Sequence, residues 1–342
     1  MRGVGKVFLL LTAVLVLAAV VTACAGTQQQ GTTTKQQTSS TKQTDISKIT
    51  QSWVDSAHQQ PVTFAAEEQF CVGCHDGGAF ATGTADPKKL GRDKPFGAWV
   101  VATDCRACHT GRGQEMMRSG TATITTATDT IHAGTGAVCL GCHRELGKPN
   151  PNDSTHSGPH PSSQAGIWSG TGGMTQGLTL KSTKPHATIK KACVTCHMTS
   201  TSWGPNHALV PVPVSQTCAL SGCHEGKTTG APNLQVKADY DGNGKAEGIQ
   251  TEVAGLQSIL TSATLAESKA TTITEDKGEI KIKNGTNDVS FDEKVYVAAY
   301  NLLLTEQDKS QGVHNPWYTV TLLQETYKQL TGNAVPNAKT PE

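Results

Sequence analysis

Residues 186–197 read HATIKKACVTCH, and the closing CVTCH decides how the rest of the chain is read. Two cysteines separated by two residues and followed at once by histidine form the attachment signature of c-type haem. The thiols reach the two porphyrin vinyl groups, and the histidine lands under the iron. On that reading Cys193 and Cys196 hold the ring and His197 binds the metal. A lone Cys-x-x-Cys also marks zinc knuckles and redox dithiols. Here the signature returns as CVGCH (Cys71, Cys74, His75), CRACH (Cys105, Cys108, His109) and CLGCH (Cys139, Cys142, His143), and once stretched, as CALSGCH (Cys218, Cys223, His224). A histidine behind every pair favours five covalently bound haem c groups over zinc or dithiol chemistry.

The chain has 11 cysteines, and the five pairs use all of them except Cys24. Cys24 ends a stretch with Arg2 and Lys6, an apolar run over 7–21 and small residues, which is the pattern of a secretory signal. The VTAC ending is similar to a lipoprotein lipobox, so residues 1–23 are expected to be a signal peptide and Cys24 the lipid-bearing N-terminus. The apolar run is shorter than the ~20 residues that span a bilayer, which disfavours an uncleaved anchor. Residues 24–50, containing TQQQGTTTKQQTSSTKQT, have almost no apolar side chains and read as a disordered tether.

From 51 to 235 the chain is rich in Gly, Thr, Ser and Pro, and poor in the aliphatic and aromatic residues that normally fill a core. This is the predicted pentahaem region: short helices and loops wrapped around a chain of porphyrins that replace the missing core. Each iron has one histidine from its own motif, and the opposite side decides whether it is closed or open to a substrate. The chain has 12 histidines, so the supply outside the motifs exceeds the need. His132 and His186 each lie seven residues before a motif cysteine, His58 and His207 precede motifs, and His314 stands at a helix start far from any motif. His156 and His160 compete within THSGPHPSS, with His160 preferred. Met116, Met117, Met174 and Met198 are also conceivable ligands, though thioethers more often pack.

Residues 236–335 change character. DYDGNGKAEG matches the first half of a calcium loop: Asp239, Asp241 and Asn243 offer oxygens, Gly244 turns the chain and the Lys245 carbonyl follows. The twelfth position is Gln250, leaving Glu247 or Glu252 to supply the missing carboxylate. Apolar periodicity predicts helices through Val253, Leu256, Ile259 and Leu260, through Val295, Ala298, Ala299, Leu302 and Leu303, and through Val320, Leu323, Tyr327 and Leu330. Asn315 is placed to cap the last helix, with Pro316 in its first turn. The chain after Gly332, including the 336–342 tail, reads as frayed.

Taken in order from Cys71, these motifs resemble the pentahaem cytochrome c nitrite reductases and their relatives among multihaem electron carriers. The resemblance rests on CLGCHRE, on PHP followed by Trp168, Ser169 and Gly170, on His186 before CVTCHM, on His207, and on GVHNP near the end. It implies that His186, His207 and His314 are distal ligands, that His160 is the catalytic histidine over a substrate haem, and that Glu145 is a calcium ligand. The departures lie in the catalytic set. His75 stands where a lysine is usual, Leu146 where the tyrosine after the glutamate belongs, Ser157-Gly158-Pro159 replaces a Lys-x-Gln, and no arginine precedes Cys71 in QQPVTFAAEEQF. An oxyanion substrate would lose its partners.

The expected protein is therefore mainly α with much irregular loop, a multihaem cytochrome c with a C-terminal helical segment. It is expected to carry electrons through five mostly bis-His haems as an exported lipoprotein, periplasmic or at the cell surface. Its expected partners are cytochromes or terminal electron acceptors, with a homo-oligomer or filament as a further possibility. The alternative is a nitrite or hydroxylamine reductase with an open first haem near His160. A net charge of +1 gives no support for nucleic-acid binding.

Overall fold

The four regular cysteine motifs coil into about one turn of helix, because one turn brings residues three and four apart onto the same side of the chain. The His75 N–H bonds to the Cys71 carbonyl, and the His143 N–H to that of Cys139, both at 3.0 Å. In the stretched motif the His224 N–H also bonds to the carbonyl of the first cysteine, Cys218, at 3.0 Å, but across six residues rather than four. Gly222 of that motif stands at φ +82°, in the left-handed region that glycine adopts without strain.

The computed structural model describes residues 44–69, 71–90, 100–124, 127, 130–147, 149–153, 156–210, 217–219, 222–225 and 232–342. The signal peptide, Cys24 and most of the tether lie outside them. The fold is mainly α-helical with large irregular stretches. Helices are α1 (Ile46–Val54), α2 (Thr63–Ala66), α3 (Val72–His75), α4 (Gly77–Thr82), α5 (Cys105–His109), α6 (Gly111–Ser119), α7 (Ala137–Leu140), α8 (Gln164–Ser169), α9 (Lys184–Ala187) and α10 (Cys193–His197). A two-residue antiparallel pair, β1 (Thr121–Ala122) with β2 (Ile131–His132), sits between α6 and α7. Helix α1 takes in the end of the expected tether, capped by the Asp45 carboxylate.

The C-terminal part holds the long helices α11 (Ile249–Ser268), α12 (Glu293–Gln307) and α13 (Pro316–Thr331). Their apolar faces meet in one cluster that includes Val253, Leu256, Leu260, Leu302, Leu304, Leu322 and Leu323, each burial worth about 1.5–3 kcal/mol. Between α11 and α12 the chain forms an antiparallel sheet, ordered β3 (Thr272–Asp276), β4 (Glu279–Asn284), β5 (Asn287–Asp288). The sheet was not predicted. Its sequence signal is the alternation EIKIKN, which buries Ile280 and Ile282 on one face.

Two expectations are corrected. Asn315 stands at the N-cap of α13, but its side chain does not cap. Buried, it accepts from the Thr183 N–H at 2.7 Å and donates to Ser182 Oγ at 2.8 Å, while Thr183 Oγ1 takes the Trp317 N–H at 2.9 Å. The tail is docked rather than frayed: Val335 is buried, the Lys339 N–H bonds to the Asp239 carbonyl at 2.7 Å, and Gln324 Nε2 donates to the Lys339 carbonyl at 2.8 Å.

Candidate functional site

Every motif histidine faces one histidine from outside the motifs. Ring centres stand 5.9 Å apart for His75 and His160, 6.3 Å for His109 and His207, and 6.0 Å for His143 and His58. They stand 6.2 Å apart for His197 and His314, and 5.9 Å for His224 and His186. A metal–imidazole bond of about 2.0–2.1 Å, with the nitrogen about 1.1 Å from its ring centre, puts two axial imidazoles on one metal at about 6 Å between centres. All five pairs match that separation, so each can hold a metal between its two rings.

The other ring nitrogen is occupied where this geometry needs it to be. Nδ1 donates to the Pro161 carbonyl from His160 (2.7 Å), to Pro205 from His207 (2.9 Å), to Val313 from His186 (2.7 Å) and to Leu209 from His197 (3.0 Å). His143 Nδ1 donates to Gln164 Oε1 at 2.9 Å, and His314 Nδ1 meets the Asp308 carboxylate at 2.7 Å. A histidine held through Nδ1 has Nε2 free to ligate. Burial also keeps the rings neutral, the ligating form: it lowers His58 to about 4, helped by His143, and lowers His75, His160 and His197. His314 differs. Burial works against its charge, but the charge and hydrogen bond of Asp308 outweigh burial and raise it.

Distant elements set these positions. Ser52 of α1 accepts the His207 N–H at 2.9 Å and donates to Asn206 Oδ1 at 2.7 Å. The β3–β4 hairpin holds the irregular chain before His160, through Gly158 N–H to the Gly278 carbonyl at 2.7 Å and Ile280 N–H to Ser157 Oγ at 3.0 Å. The 308–315 loop carries His314 and, through Val313, fixes His186.

The thiols of different motifs also meet. Cys74 lies beside Cys142 and Cys139 beside Cys193, and within each pair the interaction pushes Cys142 and Cys139 up and pulls Cys74 and Cys193 down. The third motif thus touches the first through one cysteine and the fourth through the other. Buried side chains here are small: Ala122, Ala133, Ala137, Ala165 and Ala192 surround Ile124, Leu140 and Trp168. Met116 and Met117 pack beside Phe80 and Val138, and Met174 against the C-terminal cluster.

His132 lies exposed on β2, and none of the five ring pairs includes it. Glu145 is buried against Gly166 and Gly172, where an added Cβ would come within 2.5 Å of its Oε1. Burial drives its pKa up to about 7, opposed by the Gly173 N–H. Asp308, 2% exposed, was not foreseen. Its only sequence signal is its place at the end of α12, six residues before His314.

The 239–252 loop brings together Asp239, Asp241 and Glu252, with one ligand oxygen from each inside 4.8 Å. Glu252 rather than Glu247 joins the two aspartates. Its carboxylate accepts the N–H groups of Tyr240 (2.7 Å), Asp241 (3.1 Å) and Glu247 (2.6 Å). Glu247 instead accepts from Asn243 Nδ2 at 2.8 Å, and Asn243 Oδ1 accepts the Lys245 N–H at 2.9 Å. Burial and the charge of Glu252 raise Asp241.

No known protein family, curated protein or solved structure matches this chain.

Proposed function

We propose that this chain is a multihaem c-type cytochrome that transfers electrons through five covalently bound haems, each with two histidine ligands. One observation carries the reading: five motif histidines face five others, without remainder among the motifs, all near the separation that one shared metal requires. Haem supplies one-electron iron chemistry when bound. The chain's residues would then attach it through Cys71/Cys74, Cys105/Cys108, Cys139/Cys142, Cys193/Cys196 and Cys218/Cys223 and close both axial positions. The thiol contacts of Cys142 with Cys74 and of Cys139 with Cys193 favour close neighbours in the order first, third, fourth, as successive tunnelling needs.

The reductase alternative requires an open first site. His160 facing His75 at 5.9 Å, with Nδ1 held by Pro161, supports a closed one. Each pair lies within this one chain, so a filament would not depend on exchanged ligands. Export as a lipoprotein through Cys24, redox partners outside the cytoplasm, and calcium in the 239–252 loop are parts of the same proposal. Among the described residues no helix is long and apolar enough to cross a membrane.

The test is low-temperature EPR of the oxidised holoprotein, quantified against total haem. All five sites should be low-spin, and His314→Ala should make one of them high-spin while His132→Ala changes none. A wild-type high-spin signal that moves with nitrite would overturn the carrier reading.

A further inference from the structure

We infer that Asp308 sets the redox potential of the fourth haem, held by Cys193, Cys196, His197 and His314, and makes it more reducing than the haems ligated through His143, His160, His186 and His207. The inference rests on the electron-carrier reading.

Six facing imidazoles have a defined Nδ1 partner, and five of those partners are neutral oxygens. His314 alone among the six donates to a carboxylate, at 2.7 Å. A carboxylate at that nitrogen makes the imidazole a more basic ligand. It also places a negative charge near an iron whose positive charge grows on oxidation, so both effects favour the ferric state.

The charge acts with little screening, because the Asp308 side chain is 1% exposed. Two contacts besides that with His314 fix its position. The Asp308 N–H bonds to the Leu304 carbonyl at 3.0 Å at the end of α12, and Ser310 Oγ donates to the second carboxylate oxygen. The same Ser310 Oγ accepts the His314 N–H at 3.2 Å. The loop contains its own control, since Val313, next to His314, holds His186 of the fifth site through a neutral carbonyl. Asp308 is a positioning residue that acts through His314.

The experiment is a potentiometric titration of purified holoprotein, followed by haem absorbance and by EPR of poised samples, with haem content measured for each variant. Asp308→Asn should raise the potential of one component by about 59 mV for one electron, a tenfold fall in its oxidised-to-reduced ratio at a fixed applied potential, and leave the others in place. Asp308→Glu should return that component most of the way. Ser310→Ala removes a donor from the carboxylate and should move the same component downward. Five unmoved components in an Asp308→Asn protein that retains five low-spin haems would overturn the inference. If Asp308→Asn does not accumulate, Ser310→Ala decides alone: a downward move supports the inference, and no move overturns it. A wild-type protein without haem would instead overturn the carrier reading itself.

Discussion

Residues 232–342 and residues 44–225 bury different things. In the first, Leu256, Leu260, Leu302, Leu304, Leu322 and Leu323 from three long helices close on one another. In the second, the clusters consist mainly of alanines around a few larger residues, with motif cysteines at their edges. A segment that orders so many residues with so little apolar side chain must gain its stability from another source. The difference also shows a division of labour. The C-terminal part has no attachment motif, yet it supplies His314, fixes His186 through Val313 and anchors the irregular chain before His160 through its hairpin.

The comparison breaks first if the cofactor is withheld. Replacing the ten motif cysteines by serine should leave helices α11–α13 protected in hydrogen exchange and abolish protection across 71–197. Equal protection in both parts would show that the small-residue clusters suffice on their own.

Within the C-terminal core, Leu322→Ala should cost about 2–5 kcal/mol in denaturant unfolding. Ala133, as fully buried in the other part, offers no comparable truncation.

Where the two parts meet, Glu145 lies near Tyr300 of α12 and Tyr318 of α13, and its charge adds to burial in raising both phenols. With its own pKa near 7 when folded and 4.5 when exposed, the native state holds the extra proton between those values. Stability should therefore fall as pH rises from about 4.5 to 7, by on the order of 3 kcal/mol in all. Glu145→Gln should flatten that slope, as read from unfolding midpoints at pH 4.5 and 8; an unchanged slope would assign the titration to another group.

The smallest effect concerns the acidic loop. Asp241→Ala should abolish stoichiometric calcium binding by calorimetry and leave the haem spectrum intact, because the stretch around Asp241 packs on α13 and the tail, through Gln324 Nε2 on the Tyr240 carbonyl and the Lys339 N–H on the Asp239 carbonyl. Retained binding would place the ion elsewhere.

The parts of this molecule that the sequence makes legible are local. Four Cys-x-x-Cys-His signatures, one stretched form and three apolar periodicities each lie within a few turns of chain, and α11–α13 follow the periodic residues. The histidine pairing is not local. His58 meets His143 and His207 meets His109 only because α1 docks through Ser52 and through Trp53 Nε1 on the Thr103 carbonyl at 3.0 Å. Glu252 was an open choice against Glu247, because a helix start two residues beyond the usual position supplies it. The docked tail was hidden for a similar reason: its partners are the Asp239 carbonyl and Gln324, and backbone acceptors leave no mark in sequence.

The 308–315 loop bears on how such a chain can change over generations. One short backbone segment serves two neighbouring sites, so a single inserted or deleted residue between Asp308 and His314 would disturb both at once. An insertion in the exposed 284–287 turn between β4 and β5 would reach neither. Length variation should therefore accumulate at that turn and be purged from the loop.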